Sequence, residues 1–321
     1  DWRKTLRDNN ENQQVDFPDD GVDTNRNWHW RWNEYGDADP ESQKYKGPYP
    51  WSEPEVTCAR DFILEQLPVF VVDYHSPVTI GWSNYVFYPF MRNPGGPPPD
   101  FEISQAIAQE WASATQTVGG GQFHTIYAYD TLPKEQCWVH GNTGILSYLM
   151  EIGDHCWYTG AQVDSIGARV ARGSVVLLDR ALNGPGVMGT VTNAHTGEPM
   201  IAQVKILQMH ADDIGPRYTD QDHGQYYRPT LSGSYTVEVS LRDFVTQTVP
   251  VTVGSSGWTV ADVALTPETT AVADVIGDDS WLRVGDTLHG DGAVHLSLPA
   301  GMPAASVELF DVRGRRAGVL G

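Results

Sequence analysis

The chain reads as an α/β unit followed by β-rich modules, and three observations predict this. Residues 67–74, LPVFVVDY, form a continuous apolar and β-branched run, the pattern of a strand buried on both faces of a parallel or mixed sheet. That run is flanked by helical stretches and further apolar runs as far as residue 181. From Gly186 the pattern changes to short alternating segments separated by turn residues, the pattern of a small all-β sandwich.

The elements follow in order. Trp2-Arg3-Lys4 makes a basic opening and leads into a polar loop rich in Asn and Gln. Residues 21–28, GVDTNRNW, then set Arg26 between Asn25 and Asn27. A guanidinium is a planar fork of donors that suits a carboxylate; a loop arginine paired with Asp23 is the other reading, and both stay open. Trp28, Trp30 and Trp32 alternate with His29 and Arg31, which on an extended segment would set the indoles on one side. Ser52-Glu53-Pro54-Glu55 has the form of a capping box with proline near the first turn. Val56, Ala59, Phe62, Ile63 and Leu67 follow at helical spacing, with Cys58 expected in the core region of that helix.

His75-Ser76-Pro77 stands at the end of the 67–74 strand, where open α/β sheets place their ligands. A strand or edge segment is predicted over 85–90, a Pro/Gly loop over 93–99, and a helix over 103–118 ended by three glycines. A short strand over 124–129, an irregular loop, a strand-like run over 144–152 and a last helix over 165–181 complete the unit. Glu151 is the lone acid at the end of its run. The sandwich strands are placed at 187–193, 194–200, 202–208, 233–241, 246–253 and 258–266. More alternation at 294–299 and 306–315 indicates part of a third β-module.

Composition narrows the function classes. A chain of 321 residues implies two or three domains, and 40% hydrophobic content suffices for buried cores. Lys plus Arg 21 against Asp plus Glu 41 gives a net charge of −20, which disfavours nucleic acid and anionic membranes and fits a secreted, periplasmic or cell-surface protein. No apolar run approaches the roughly 18 residues of a membrane span, and no leader-like segment opens the sequence, so the N-terminus is expected to be processed or truncated. The three cysteines lack C-x-x-C spacing, which argues against structural zinc; a Cys137–Cys156 bridge is one pairing open to them.

His75, Glu151, Arg3 and Arg26 are the residue types that metal-assisted peptide hydrolysis needs: a ligand, a base and two cations. The segments Trp2-Arg3-Lys4, GVDTNRNW (21–28), SEPE (52–55), DYHS (73–76), TIY (125–127) and GILSYLMEIGD (144–154) occur in an order and spacing that resembles the zinc metallocarboxypeptidases of the carboxypeptidase A and B kind. The resemblance covers about the first 180 residues and implies the C-terminal part of a mixed-sheet zinc-carboxypeptidase domain. It makes His75 the last of three Zn2+ ligands and Glu151 the base for a metal-activated water. Arg3 would stabilise the oxyanion; Asn25, Arg26 and Tyr127 would hold a peptide's free C-terminal carboxylate; Asp23 would orient a ligand histidine. Gln136, fifteen residues before Glu151, falls where relatives set side-chain preference, and a neutral amide selects no charge.

The sequence also departs from the family. The first two ligands of relatives come from an H-x-x-E segment upstream of W-R-K, which this sequence lacks. Its only H-x-x-E, His195-Thr196-Gly197-Glu198, is flanked by Pro199 and reads as a turn. The expectation is an N-terminally truncated peptidase domain over 1–183 that binds Zn2+ poorly by itself, is inactive as it stands and leaves a sheet edge exposed. A cis Ser76–Pro77 bond is expected where relatives carry a cis peptide. Residues 184–267 resemble a transthyretin-like carboxypeptidase regulatory domain, and 268–321 part of a bacterial Ig-like C-terminal module. Two alternatives remain: a non-catalytic pseudo-peptidase acting as a surface binding protein, and a related zinc amidase acting on cell-wall peptides.

Overall fold

The computed structural model describes residues 3–76, 83–91, 95–129, 133–154 and 158–268, with short strands at 283–284, 296–297, 307–310 and 316–320. Pro77 and Cys156 lie outside the described residues, and with them the expected cis peptide and the Cys137–Cys156 pairing. The chain forms two compact units, residues 1–241 with 246–265, and residues 242–245 with 266–321.

In the first unit, β1 (Phe70–His75), β2 (Tyr85–Met91), β3 (His124–Tyr129) and β4 (Leu146–Glu151) make a sheet in the order β1-β4-β2-β3. β1 runs parallel to β4, β2 antiparallel to β4, and β3 parallel to β2. The predicted mixed sheet is therefore present. Its helices are α1 (Pro54–Gln66), α2 (Phe101–Ala114), α3 (Glu135–Thr143) and α4 (Gly160–Asn183). α2 buries Ile103, Ile107, Ala108, Trp111 and Ala112, a stripe at helical spacing. Trp111 meets the rings of Tyr74 and Tyr148 edge-on, each at 6.2 Å between centroids. A second cluster joins Trp28, Val56, Ile63, Trp138, Val139 and Ile145.

Several expectations are corrected here. β1 is only half-buried over most of its length and starts at Phe70, because Leu67 ends α1 in a left-handed conformation with φ 42°. The 28–34 stretch is a run of turns, not an extended segment: Trp28 enters the core, and the Trp32 indole donates to Lys46 O at 3.1 Å. Glu53 makes no capping bond to α1, since its buried carboxylate accepts from the Thr5 and Ser52 hydroxyls at 2.8 Å each and pairs with Arg7 at 3.2 Å. Cys58 and Phe62 are exposed, because the buried face of α1 runs through Val56 and Ile63. α3 stands where an irregular loop was expected, and α4 begins at Gly160 with a Thr159/Gln162 capping box.

Gly141 shows how closely α3 is packed. A Cβ built there would lie 2.1 Å from the Trp30 ring. Gly141→Ala should therefore cost about 1–3 kcal/mol in urea denaturation, although alanine alone favours a helix by about 1 kcal/mol; a stabilised variant would show that the ring does not press on this helix.

Residues 186–265 form two sheets. One has the order β10-β9-β6-β7, from β6 (Gln203–Ile206), β7 (Arg217–Tyr218), β9 (Gly233–Ser240) and β10 (Gln247–Val253). The other has β5 (Gly186–Asn193) at its centre, pairing with β8 (Gln225–Pro229), β11 (Trp258–Val260) and β12 (Val263–Leu265). Val187, Val191, Val204, Ile206, Val237, Val239 and Leu265 are fully buried and alternate along their strands, so each sheet presents one apolar face. Residues 194–200, expected as a strand, contain a turn in which Asn193 Oδ1 accepts from the backbone of His195 and Thr196. β7 and β8 went unpredicted. Arg217 of β7 donates to the carbonyls of Leu67 and Pro68 at 3.1 Å each, just ahead of β1.

In the second unit, β13 (Arg283–Val284) pairs with β14 (Leu296–Ser297) and β15 (Val307–Phe310) with β16 (Arg316–Leu320), both antiparallel.

Candidate functional site

The parallel register of β1 and β4 sets His75 opposite Glu151 at the C-terminal ends of both strands, the end at which α/β sheets carry ligands. Segment 21–28 reaches this place through backbone bonds to the basic opening. Thr5 N donates to Val22 O and Gly21 N to Arg7 O, each at 2.8 Å. Gly21 has φ +78°, and a Cβ there would lie 2.2 Å from Thr5 O, so the approach requires glycine.

Residues Thr24–Arg26 make one 3-10 turn, opened by Asp23, whose Oδ1 accepts from Asn25 N at 3.2 Å. Arg3 donates to the other oxygen of this buried carboxylate at 2.5 Å. Asn25 joins three elements: its Nδ2 lies 3.2 Å from His75 Nε2, and its Oδ1 accepts from Glu135 N at 3.4 Å. Arg26 donates to Asn25 O at 2.6 Å, and its remaining donors bond to no described side chain. Asp73, which shares a face of β1 with His75, places Oδ2 2.8 Å from the same Nε2.

The electrostatics follow from this packing. Burial alone would lower His75, but the hydrogen bond and charge of Asp73, then Glu151, raise it. Burial raises Glu151 against the opposing pull of His75 and Lys134, and its Oε2 is buried without a hydrogen bond. Burial lowers Arg26, with Asp23 resisting and Arg3 assisting. Glu135 is pushed up to about 7 by burial and by Asp73, with His75 opposing. Burial also lowers Lys134, which feels Cys137, Arg26, Glu151 and Asp73.

Arg3, Asp23, Asn25, Arg26, His75 and Glu151 thus gather around two strand ends. Two predicted residues stand elsewhere. Gln136 is 1% exposed and donates its amide to Phe87 O at 3.0 Å and Ser147 O at 3.4 Å. Tyr127 lies on β3 level with Tyr88, against the Phe101 ring at 6.1 Å; the partner of Glu151 on β2 is Tyr85, so Tyr127 sits three residues, or about 10 Å, further along the sheet. Sequence reading missed Asp73, Lys134 and Glu135. The D-x-H spacing signalled the first; the other two belong to the unpredicted start of α3.

Among the described residues no three His, Cys, Asp or Glu side chains converge on a metal position. One imidazole, whose Nε2 already faces Asp73 and Asn25, does not make a zinc site, which takes three or four convergent ligands.

Comparison with known proteins bears on this arrangement. The carboxypeptidase B of Astacus astacus is 32% identical over 145 residues, 42% of this chain and 45% of that protein. A metallocarboxypeptidase A-like protein of Trichophyton verrucosum is 32% identical over 130 residues, 39% of this chain and 28% of that protein. The chain thus spans less than half the length of either relative. Bovine thrombin-activatable fibrinolysis inhibitor, solved with tick carboxypeptidase inhibitor, aligns with TM-score 0.47 and 20% identity over 56% of this chain and 62% of that one. The sequence model of the family described as zinc carboxypeptidase matches residues 1–164, just over half of the 321, and the chain belongs to that family.

Proposed function

We propose that this chain carries the carboxylate-holding and proton-accepting side of a zinc metallocarboxypeptidase centre, which removes the C-terminal residue of a peptide. The observation that carries the reading is the 3.2 Å approach of Asn25 Nδ2 to His75 Nε2, which sets the Asn25-Arg26 turn beside the strand end that bears Glu151. Arg26 and Asn25 hold the free α-carboxylate, Arg26 with its unoccupied donors. Glu151, made a stronger base by burial, accepts the proton of the attacking water. Arg3, buttressed by Asp23, is the cation for the developing oxyanion. His75 is the single zinc ligand in this reading, and the clamp rests on Asn25 and Arg26 without Tyr127 or the buried Gln136; the family's Zn2+ would need ligands that the described residues do not bring together. Domain bounds of 1–183, 184–267 and 268–321, a transthyretin-like regulatory role for the second and an Ig-like one for the third, and a secreted bacterial setting complete the proposal.

The second reading, a non-catalytic carboxylate-binding protein, is favoured by the engagement of His75 Nε2 with Asp73. The two share one measurement and differ in another. Calorimetric titration of the 321-residue chain with a short peptide and with its C-terminal amide should show binding of the free acid alone. Arg26→Met should weaken that binding by about 10- to 100-fold. Equal affinity for acid and amide would reject the clamp in both readings, and hydrolysis of the bound peptide with added Zn2+ would decide for the enzyme.

A further inference from the structure

Two buried arginines lie apart from the candidate site. Arg217 is 4% exposed and Arg228 7%, and both line one small cavity between the 186–265 sheets and the start of β1 and β4. Arg217 spends two nitrogens on the Leu67 and Pro68 carbonyls, while its Nε is buried with no partner. The Arg228 guanidinium makes no hydrogen bond to any described residue, although it approaches Gly144 closely enough that a Cβ there would lie 3.1 Å from Nη1. Among the described residues the carboxylate that acts on Arg228 is Asp100, which faces His140 at 3.4 Å and leaves Oδ1 buried and unbonded.

The charges do not balance. Two guanidinium groups line the cavity while Asp100 pulls on Arg228 alone, so among the described residues the nearly buried Arg217 has no carboxylate acting on it, a state that proteins avoid by pairing. The imbalance shows in the groups themselves: burial, then Arg228, pushes Arg217 down to about 9, and burial lowers Arg228 against the pull of Asp100. Val69, Leu146, Met209 and Pro229 give the rest of the lining an apolar character, with Tyr227 and Gly144 beside them. The void measures about 10 Å³, the room one water-sized guest needs. A void of this size favours a small ion over a bulky one, and the carboxylate of Asp100 opposes a second negative charge.

We propose that the cavity between Arg217 and Arg228 is a binding site for a single monatomic anion, chloride, which completes the charge of the junction between β1, β4 and the downstream sheets. The site is independent of the peptidase reading. Thermal unfolding of the full chain in sodium chloride and in sodium gluconate, at equal ionic strength, should give a melting temperature several degrees higher in chloride, about 3 °C or more. The larger gluconate anion cannot enter. Arg228→Met should abolish the difference. Bromide replacing chloride in crystals of the unaltered protein should give an anomalous peak between the two guanidinium groups, a readout that stands even if the variant fails to fold. Equal melting in the two salts, a chloride shift retained by Arg228→Met, or a bromide-soaked crystal with no peak there would overturn the proposal.

Discussion

Between pH 4.5 and 8 the folded chain should lose on the order of 3 kcal/mol of stability through Glu135 alone. Its carboxyl stands near the start of α3 and is pushed up to about 7 by burial and by Asp73, against an ordinary value near 4.5. A carboxyl raised on folding binds its proton more tightly in the folded state. Its contribution is therefore complete below about pH 4.5 and disappears as pH climbs through about 7, at about 1.4 kcal/mol per unit of separation. Glu135→Gln keeps the shape and removes the titration. In urea denaturation the variant should match the parent at pH 4.5 and exceed it by on the order of 3 kcal/mol at pH 8; two curves that stay parallel across this range would show that the carboxyl is solvated after all.

Asp100→Asn should be the most damaging single change of charge in the first unit. The carboxylate is 2% exposed, and although burial acts to raise it, His140 and then Arg228 hold it below the usual carboxylate range. Its removal leaves the nearly buried Arg228 without the carboxylate that pulls on it. Losing one member of a buried charged group costs about 3–5 kcal/mol. Because this carboxyl is lowered on folding, its stabilisation is present above its unfolded value and fades as pH falls through the folded one. The variant should thus lose about that much at pH 7 and less as pH falls below 3.8, measured by chemical denaturation; a loss that stays constant with pH would attribute the damage to shape and not to charge.

The fold was legible where apolar runs were long or alternation was strict. The LPVFVVDY and GILSYLMEI runs became β1 and β4, and the alternating segments from Gly186 became paired strands. α3 escaped because its nine residues include Gly141, Asn142 and two threonine-or-glutamine positions near its ends, which read locally as loop; the Trp30 ring and the core around Trp138 and Val139 make it a helix. The tryptophan run misled for the opposite reason. Period-2 spacing suggested an extended strand, whereas turns and a positive φ at Arg31 send Trp28 and Trp32 to different neighbours.

The candidate site was legible as residue types in order. Their gathering was not, since the approach of Asn25 to His75 depends on Gly21 fitting under Thr5 and on a strand register set 76 residues downstream of His75. Lys134 and Glu135 reach the cluster by tertiary packing alone, and Gln136 turns its amide to Phe87 and Ser147 because that face of α3 is the buried one.

The grip of Arg217 on the carbonyls of Leu67 and Pro68 has a consequence for the order in which the molecule takes shape. Those carbonyls form the root of the strand that presents His75, and the side chain that holds them is 150 residues later in the chain. Contacts of such separation close late, after their loop entropy has been met by other structure. On a ribosome, His75 would emerge long before the group that anchors its strand, so the strand-end cluster would settle only once β7 had been made and folded. The downstream sheets are in that sense the last step in building a site to which they contribute no residue.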